Sequence, residues 1–199
     1  MIQHWEENEK FPPEKYYEAC ITYHIVRYCE EKQMGRIFPF SISQIQEKKE
    51  GYDFGYQMDS QSLFFVQYKR PQMRMTANHS SVWMIDIGQL KTIVEGGIGA
   101  CTYYALPEFY DYLEWYEGLE KTYFLNAEDL YTQIRLQKKM DQKTVFVRND
   151  GWKLRRFEDY FSVRNIYRNV LIQAQDAYDE AIDWKILEED FQGYFLQRF

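Results

Sequence analysis

The spacing of apolar residues predicts a helix near the N-terminus. From Glu14 to Gln33, apolar and aromatic side chains recur every three or four residues, which places them on one face of a helix that ends near Gly35. Cys20 and His24 lie on this face with no second Cys/His cluster nearby, so we interpret both as core residues and not as metal ligands. The full face consists of Tyr17, Cys20, Ile21, His24, Ile25 and Tyr28.

The pattern then changes to that of strands. Two runs, Tyr52–Gln57 and Leu63–Lys69, flank a polar turn at residues 58–62 and predict a hairpin. A short helix at residues 82–95 is expected to end at Gly96 and Gly97. The elements predicted after it are a buried strand at 100–107, an amphipathic helix at 107–119, a strand at 144–151 and a mostly helical stretch at 157–199.

This order of elements predicts the fold class. Helices and strands alternate as in an α/β (α+β) fold, in which helices flank a mixed β-sheet. The 199 residues fit a single domain. Within it we expect a core at about residues 14–150 and a helical C-terminal extension at about residues 157–199.

Composition excludes several classes of protein. Hydrophobic residues make up 45% and charged residues 28% of the chain, which is typical of a packed core and not of disorder. No apolar run approaches the roughly 18–20 residues that span a bilayer, so no membrane association is expected. The N-terminus is polar and acidic, unlike a signal peptide. Three cysteines without framework spacing indicate free thiols and a cytoplasmic location.

Charge is distributed unevenly along the chain. The formal net charge is −7, yet residues 133–168 contain 10 basic and 4 acidic residues, a net of +6. Aromatic residues lie among these cations, a mixture typical of nucleic-acid-binding surfaces, so Lys153, Arg155 and Arg156 are candidate contacts. The alternative is a solvated face that pairs with the acidic flanks. The acidic, Tyr-rich remainder is a candidate surface for a protein partner.

The candidate chemistry lies in the predicted hairpin. If its turn is centred on Ser60, Asp53 lies opposite Gln67 with the Cβ atoms about 4.5–5.5 Å apart. Lys69 then projects from the same face as Gln67, whereas a shift of one residue would separate Asp53 from them. Two oxygen ligands beside an ammonium group suit phosphodiester hydrolysis with Mg²⁺ or Mn²⁺, in which the cation polarises the phosphate and the lysine orients or activates water.

These residues also carry a family resemblance. The segment GYDF at residues 51–54, followed by three apolar residues and Gln67-Tyr68-Lys69, resembles the core of the PD-(D/E)XK nuclease superfamily. In that family a metal-binding Asp on one strand of a hairpin precedes a (D/E)xK signature on the next. The resemblance covers about residues 14–107. It implies a restriction-endonuclease-like core and a Mg²⁺-dependent nuclease acting on DNA, in bacterial or phage defence or in DNA processing.

The resemblance further implies roles for single residues. Asp53 would be the metal-binding carboxylate, Gln67 a second metal ligand and Lys69 the catalytic lysine. Glu18, on the first helix, resembles the acid that some members place beside the metal. Gln89 lies where members often place a polar residue that faces the site.

Two positions depart from the family pattern. Tyr52 stands where the family usually has Pro, and Gln67 stands where it usually has a carboxylate. Some branches with QxK are active, whereas others have lost catalysis and kept the fold. The alternative function is therefore a catalytically inactive, nuclease-fold module that binds protein or nucleic acid. Glu47 and Glu50 are candidates for the missing carboxylate, or are solvated loop charges.

Further cations follow the signature. Arg70 follows Lys69 directly and Arg74 comes after Pro71, and both are candidate nucleic-acid contacts, since cations beside a metal site suit a polyanionic ligand. An ordinary hairpin whose strand ends in a solvated lysine is the simplest alternative for the whole motif.

Overall fold

One helix, five successive strands and then a mixture of helices and strands make up the residues that this computed structural model describes, which are 11–41, 51–58, 63–73, 81–149 and 151–161. The helices are α1 (Glu14–Glu31), α2 (Ile87–Glu95), α3 (Ala127–Leu136) and α4 (Phe157–Tyr160). The strands are β1 (Ile37–Ser41), β2 (Phe54–Met58), β3 (Leu63–Tyr68), β4 (Gln72–Met73), β5 (Ser81–Asp86), β6 (Thr102–Pro107), β7 (Thr122–Asn126) and β8 (Thr144–Arg148). The chain divides into two units, Met1–Tyr160 and Phe161–Phe199, and all of these elements belong to the first.

The strands form two sheets. The larger sheet has the order β1-β2-β3-β6-β7, and the smaller sheet has the order β4-β5-β8. Strands β3 and β6 run parallel, whereas the other neighbouring pairs are antiparallel, so the larger sheet is mixed. The predicted fold class is therefore confirmed: this is an α+β fold in which helices flank a mixed sheet.

The hairpin of β2 and β3 has the register that the sequence predicts. Phe54 pairs with Val66 and Tyr56 pairs with Phe64. Asp53, directly before β2, stays against β3 because its N–H donates to the carbonyl of Val66 at 3.1 Å. Five of the six residues of β3 are buried, so both faces of this strand are covered. Strand β6, which pairs with β3 in parallel, has all six residues buried, as is typical of the centre of a sheet.

One apolar core joins α2 and α3 to both sheets. In the smaller sheet, Trp83, Val145 and Val147 point into this core, while Phe146 between the two valines is 40% exposed. This is the alternation of a strand with one buried face. The fully assembled core consists of Trp83, Ile85, Ile87, Leu90, Ile93, Tyr104, Leu106, Leu125, Ala127, Leu130, Ile134, Val145 and Val147.

The predicted first helix is confirmed and packs on the larger sheet. Most of the predicted face is buried, and the Thr22 hydroxyl lies 2.8 Å from the Tyr56 hydroxyl and 3.0 Å from the Tyr68 hydroxyl. Cys20 is buried, and His24 is half-buried with Nε2 2.6 Å from the carbonyl oxygen of Trp115. Both residues therefore hold the helix to the fold, as the interpretation of core residues requires.

The predicted helix at 82–95 is wrong in its first half. Residues 81–86 form β5, and only Ile87–Glu95 is helical. Asp86 ends the strand and caps the helix, because its side chain accepts a hydrogen bond from the N–H of Gln89 at 2.9 Å. Valine, tryptophan and isoleucine in this run bury well as a strand against β8, which overrides a helical spacing.

The predicted helix at 107–119 is also wrong. Pro107 ends strand β6, and the only helical turn in that range is a 3-10 helix at Tyr112–Glu117. Asp111 and Glu114 form a capping box, so the turn begins later than expected. Strands β1, β4 and β7 and helix α3 were not predicted from the sequence, and the strand predicted at 144–151 is correct except for its end.

Three further sequence predictions concern the C-terminal extension, membrane-spanning helices and the cysteines. Of the helical C-terminal extension predicted at about residues 157–199, the structure describes α4 and Phe161, and the rest lies outside the described residues. In the described ranges, no helix has both the length and the apolar character needed to cross a membrane. The three cysteines are free thiols, with Cys20 and Cys29 buried and Cys101 half-buried.

Candidate active site

Asp53 and Gln67 lie side by side and buried in the hairpin of β2 and β3. Asp53 is 6% exposed and Gln67 is 1% exposed. The side-chain amide nitrogen of Gln67 donates to Oδ2 of Asp53 at 2.8 Å, and the backbone N–H of Tyr68 donates to the same oxygen at 2.7 Å. Because both hydrogen bonds reach Oδ2, the second oxygen, Oδ1, is left for another ligand.

Lys69 joins this pair through α2. Its ammonium group donates to Oε1 of Gln89 at 3.0 Å, and Nε2 of Gln89 donates to Oε1 of Gln67 at 3.0 Å. A continuous hydrogen-bond chain therefore runs from Lys69 through Gln89 and Gln67 to Asp53. The structure brings together Asp53, Gln67 and Lys69, and Gln89, which the resemblance placed facing the site, links them.

The groups at the two ends of this hydrogen-bond chain determine which atoms donate and which accept along it. A lysine ammonium has only donors, so Gln89 must present its oxygen to Lys69 and its nitrogen to Gln67, which in turn presents its nitrogen to Asp53. The sequence analysis expected Asp53 and Gln67 to turn oxygens toward one cation. In the structure the nitrogen of Gln67 faces Asp53, so its role as a metal ligand stays a prediction that requires its amide oxygen to be shared with Gln89.

Burial controls the charge of Asp53. Desolvation raises the pKa of Asp53 to about 7, although the Tyr68 N–H and the Lys69 ammonium oppose the shift; Glu18 and Glu14 add to it. A bound cation would favour the ionised form. The carboxyl is thus poised to change charge near neutral pH.

Glu18 lies on the side of the site formed by α1. It is 4% exposed and pairs with the Lys15 ammonium at 2.7 Å. Its charge raises the pKa of Asp53, which requires the two carboxyls to be electrostatic neighbours. The role of Glu18 as a fourth catalytic residue stays a prediction, supported by this electrostatic interaction with Asp53.

Glycine 51 lets the Asp53 segment approach α2. Gly51 has φ of +83°, in the region that favours glycine. A Cβ at this position would lie 2.8 Å from Cγ1 of Ile93 and 3.3 Å from the carbonyl oxygen of Gln89. The glycine before the Asp thus sets the distance between the hairpin and the helix that carries Gln89.

A tyrosine hydroxyl that the motif does not mark also faces this region. Tyr104 pairs with Gln67 across β3 and β6, and its buried hydroxyl has no hydrogen-bond partner within the described residues. Burial, with the nearby carboxylates of Asp86 and Asp53, raises the pKa of Tyr104, so the hydroxyl keeps its proton. An unpaired buried hydroxyl costs about 1–3 kcal/mol.

The oxygen donors suit a weakly held Mg²⁺ ion. No group of three or more His, Cys, Asp or Glu side chains within the described ranges is placed to hold a metal. Mg²⁺ needs less, because proteins commonly hold it by one or two carboxylates, several waters and the phosphates of the substrate. Asp53 supplies a carboxylate and Gln67 an amide oxygen, which lie side by side. This set fits an ion that binds together with a phosphate, not a tight protein-only metal site.

Two of the predicted nucleic-acid contacts are engaged inside the protein. The Arg156 guanidinium lies 3.8 Å from the centre of the Tyr123 ring, and the Arg155 guanidinium lies 5.3 Å from that of Tyr160. Lys153 is exposed. Their role in binding nucleic acid stays a prediction, for which Lys153 is the accessible member.

Of the two arginines predicted after Lys69 as nucleic-acid contacts, the structure describes only Arg70. Arg70 is half-buried; its backbone N–H lies 3.4 Å from Oε2 of Glu14, and its Nη2 lies 3.4 Å from the carbonyl oxygen of Phe11. Arg74 lies outside the described residues, as do Glu47 and Glu50.

The acidic, Tyr-rich surface is centred on the 3-10 helix after β6. Leu113 is 86%, Tyr116 83% and Tyr112 55% exposed, and Glu117 and Glu120 are exposed beside them. We call these five residues the acidic aromatic surface. That this surface binds a protein partner stays a prediction.

Comparisons with known proteins concern the fold. No protein-family model and no curated protein matches the chain. Among solved structures it is similar to a nuclease from a fusselovirus, with a TM-score of 0.52 and 11% sequence identity over 85% of this chain and 99% of that chain. At this identity the likeness shows the fold alone. The mixed sheet and its helices therefore form a nuclease-like core.

Proposed function

We propose that this protein is a metal-dependent nuclease of the PD-(D/E)XK type that cleaves DNA phosphodiesters, in defence or in DNA processing. The observation that carries the proposal is the hydrogen-bonded chain from Lys69 through Gln89 and Gln67 to Asp53. It supports the proposal because a cation ligand, an ammonium group and buried donors meet at one point of a nuclease-like core.

Each residue has a distinct task in this proposal. Mg²⁺ or Mn²⁺, when bound, polarises the phosphate and lowers the pKa of an attacking water. The ionised carboxylate of Asp53 holds the ion, and the Lys69 ammonium lies where it stabilises negative charge developing on the phosphate oxygens. Gln89 keeps the lysine directed into the site, and Glu18 adds negative charge that favours a cation.

Cleavage assays with matched variants test the proposal. Plasmid and linear DNA are incubated with the protein in EDTA, Mg²⁺ or Mn²⁺, and we expect cleavage only with metal. Asp53→Asn and Lys69→Met should lower the rate by about 10²- to 10⁴-fold. Asp141→Asn removes an exposed carboxylate and serves as the control with an unchanged rate. Equal cleavage by all variants, or cleavage in EDTA, would overturn the assignment.

A catalytically inactive binding module is the second candidate function. It is favoured by Gln67, whose amide is satisfied at both ends by Gln89 and Asp53 and carries no charge. Such a module binds nucleic acid, or a protein through the acidic aromatic surface. Binding of DNA without cleavage in every metal, at an affinity that Asp53→Asn leaves unchanged, is the result that this candidate predicts.

A further inference from the structure

A cavity lies beside β8, the strand at one edge of the smaller sheet, and apart from Asp53. It has a volume of about 390 Å³ and is lined by Lys139, Gln142, Thr144, Val145, Phe146 and Arg148. A volume of this size lies within the range of small-molecule sites. No residue of the nuclease motif contributes to it.

The lining combines positive charge with an aromatic face. Lys139 and Arg148 are the charged residues of the cavity, and neither has a carboxylate within 4 Å among the described residues. Phe146 is 40% exposed, and Met84, its partner across β5 and β8, is 41% exposed. In a chain of net charge −7, a cavity lined by two cations and no acid selects for an anion.

The alternation of β8 creates this arrangement. Val145 and Val147 are buried in the core, so Thr144, Phe146 and Arg148 line the opposite face at intervals of about two residues. Gln142 and Thr144 add amide and hydroxyl groups that can pair with the edge of a base. A nucleotide-binding site needs cations for the phosphate, a ring that stacks on the base and polar groups for the base edge.

The cavity is connected to the candidate active site through β5. Thr144 pairs with Asp86. Asp86 caps α2 at the N–H of Gln89, and Gln89 contacts Lys69. A neighbouring cavity shares Gln142 but contains Asp86 and Asp141, whose charges disfavour phosphate.

We propose that the cavity at Phe146 binds one unpaired nucleotide of a nucleic-acid strand, with its base on the Phe146 ring and its phosphate at Lys139 and Arg148. The proposal rests on the proposed function in one respect, that the ligand is a nucleic-acid strand. A base in a duplex is stacked and paired on both sides, so only an unpaired nucleotide enters such a cavity. The protein therefore prefers single-stranded or frayed substrate to blunt duplex.

Fluorescence anisotropy with the full chain in EDTA tests this subsite without cleavage. The probes are a labelled 12-nucleotide thymidine strand and a blunt duplex of equal length. Phe146→Ala should weaken binding of the single strand by about 5- to 100-fold and leave the duplex unchanged. Phe146→Leu, which keeps apolar volume without a ring, should behave like Phe146→Ala, whereas Phe146→Trp should retain affinity.

Phe38→Ala is the matched control. Phe38 is an exposed phenylalanine, 52% accessible, on β1 of the larger sheet, and its removal should leave binding unchanged. Thermal melts of each variant verify folding. Equal affinity of wild type, Phe146→Ala and Phe146→Leu for the single strand, or no binding of the strand by wild type, would overturn the proposal.

Two further measurements distinguish a nucleic-acid strand from a free nucleotide as the ligand, and failure of the subsite from failure of the nuclease function. Thymidine monophosphate should compete at least tenfold more weakly than the strand, and equal competition would replace the strand with a free nucleotide. If DNA is never cleaved in Mg²⁺ but the Phe146 pattern holds, the subsite stands and the nuclease function fails. If cleavage occurs and Phe146 has no effect, the subsite fails and the nuclease function stands.

Discussion

At the scale of single residues, the buried carboxyl of Asp53 links the stability of the fold to pH. Its pKa is raised from 3.8 to about 7, chiefly by burial. Between about pH 4 and pH 7 the native state keeps a proton that the unfolded chain has released, so stability falls as pH rises. Above both values the full penalty of burying the ionised carboxyl remains.

We therefore expect Asp53→Asn to be as stable as wild type near pH 4 and more stable above pH 7, by at most a few kcal/mol, since one pKa unit corresponds to about 1.4 kcal/mol. Urea denaturation at several values of pH measures the difference. Asp141→Asn, on an exposed residue, is the control. A difference that is constant from pH 4 to pH 9 would contradict a raised pKa at Asp53.

Gln67 gives a second prediction at this scale. Gln67→Glu replaces the donor to Asp53 with an acceptor, so two carboxylates face each other at the 2.8 Å contact. Without metal, we expect a loss of about 1–3 kcal/mol in the free energy of unfolding at pH 8, because the hydrogen bond is replaced by repulsion. Mg²⁺ or Mn²⁺ should reverse this loss, because the added charge binds the cation.

Thermal melts across a Mg²⁺ titration measure both effects. Gln57→Glu makes the same substitution at an exposed position of the same hairpin and should respond little to metal. A Gln67→Glu variant whose melting temperature does not depend on Mg²⁺ would show that no cation binds beside Asp53.

At the scale of elements, the contact between Gly51 and α2 controls the geometry of the site. Gly51→Ala adds a Cβ 2.8 Å from Ile93 and also places alanine at φ of +83°. We expect a loss of about 2–4 kcal/mol in stability, from overpacking and an unfavourable backbone conformation together. Cleavage should fall as well, since Asp53 lies two residues away and moves relative to Gln89.

Gly97→Ala separates the two causes. Gly97 has nearly the same φ, +81°, but a Cβ there would meet nothing within 4 Å. Gly97→Ala should lower the free energy of unfolding by only about 1–2 kcal/mol and leave cleavage unchanged. Equal losses in the two variants would mean that the approach of Gly51 to α2 does not matter. Urea denaturation and the plasmid assay provide the two readouts.

The sequence predicts the part of the site that local periodicity determines. Asp53, Gln67 and Lys69 belong to one hairpin, and the register of a hairpin follows from alternation about its turn. Tyr104 and Asp86 were not predicted, because they join the site through the parallel pairing of β3 with β6 and through the end of β5. The run at 82–95 is apolar at spacings that suit both a strand and a helix. Asp86, a capping residue three positions before Gln89, is the sequence feature that indicates where the helix begins.

At the scale of the whole molecule, the distribution of charge determines how the protein meets a polyanion. Residues 133–168 carry a net charge of +6 within a chain of −7. A count of charges does not show that Arg155 and Arg156 stack on tyrosine rings, since that depends on packing between distant segments. Lys153, which is exposed, and Arg156, which is packed, should therefore respond differently to the same substitution.

We expect Lys153→Glu to weaken DNA binding without changing the melting temperature, and Arg156→Glu to lower the melting temperature. For about four phosphate contacts, log K should fall with log salt at a slope of roughly −3 to −4, and Lys153→Glu should reduce this slope by about 1. Anisotropy across a salt series and thermal melts test both. An unchanged slope for Lys153→Glu would mean that Lys153 contacts no phosphate.

The parallel pairing of β3 with β6 has a consequence for synthesis of the chain. β3 ends at Tyr68 and β6 ends at Pro107, so about 40 residues separate the two partners. At about 5–20 residues per second, the ribosome needs roughly 2–8 s to supply β6 after β3 has emerged. Throughout that interval the apolar strand LFFVQY has one unpaired edge, a typical template for aggregation. The nascent hairpin is therefore the segment that a chaperone would protect, and slower translation of residues 69–107 should lower the soluble yield.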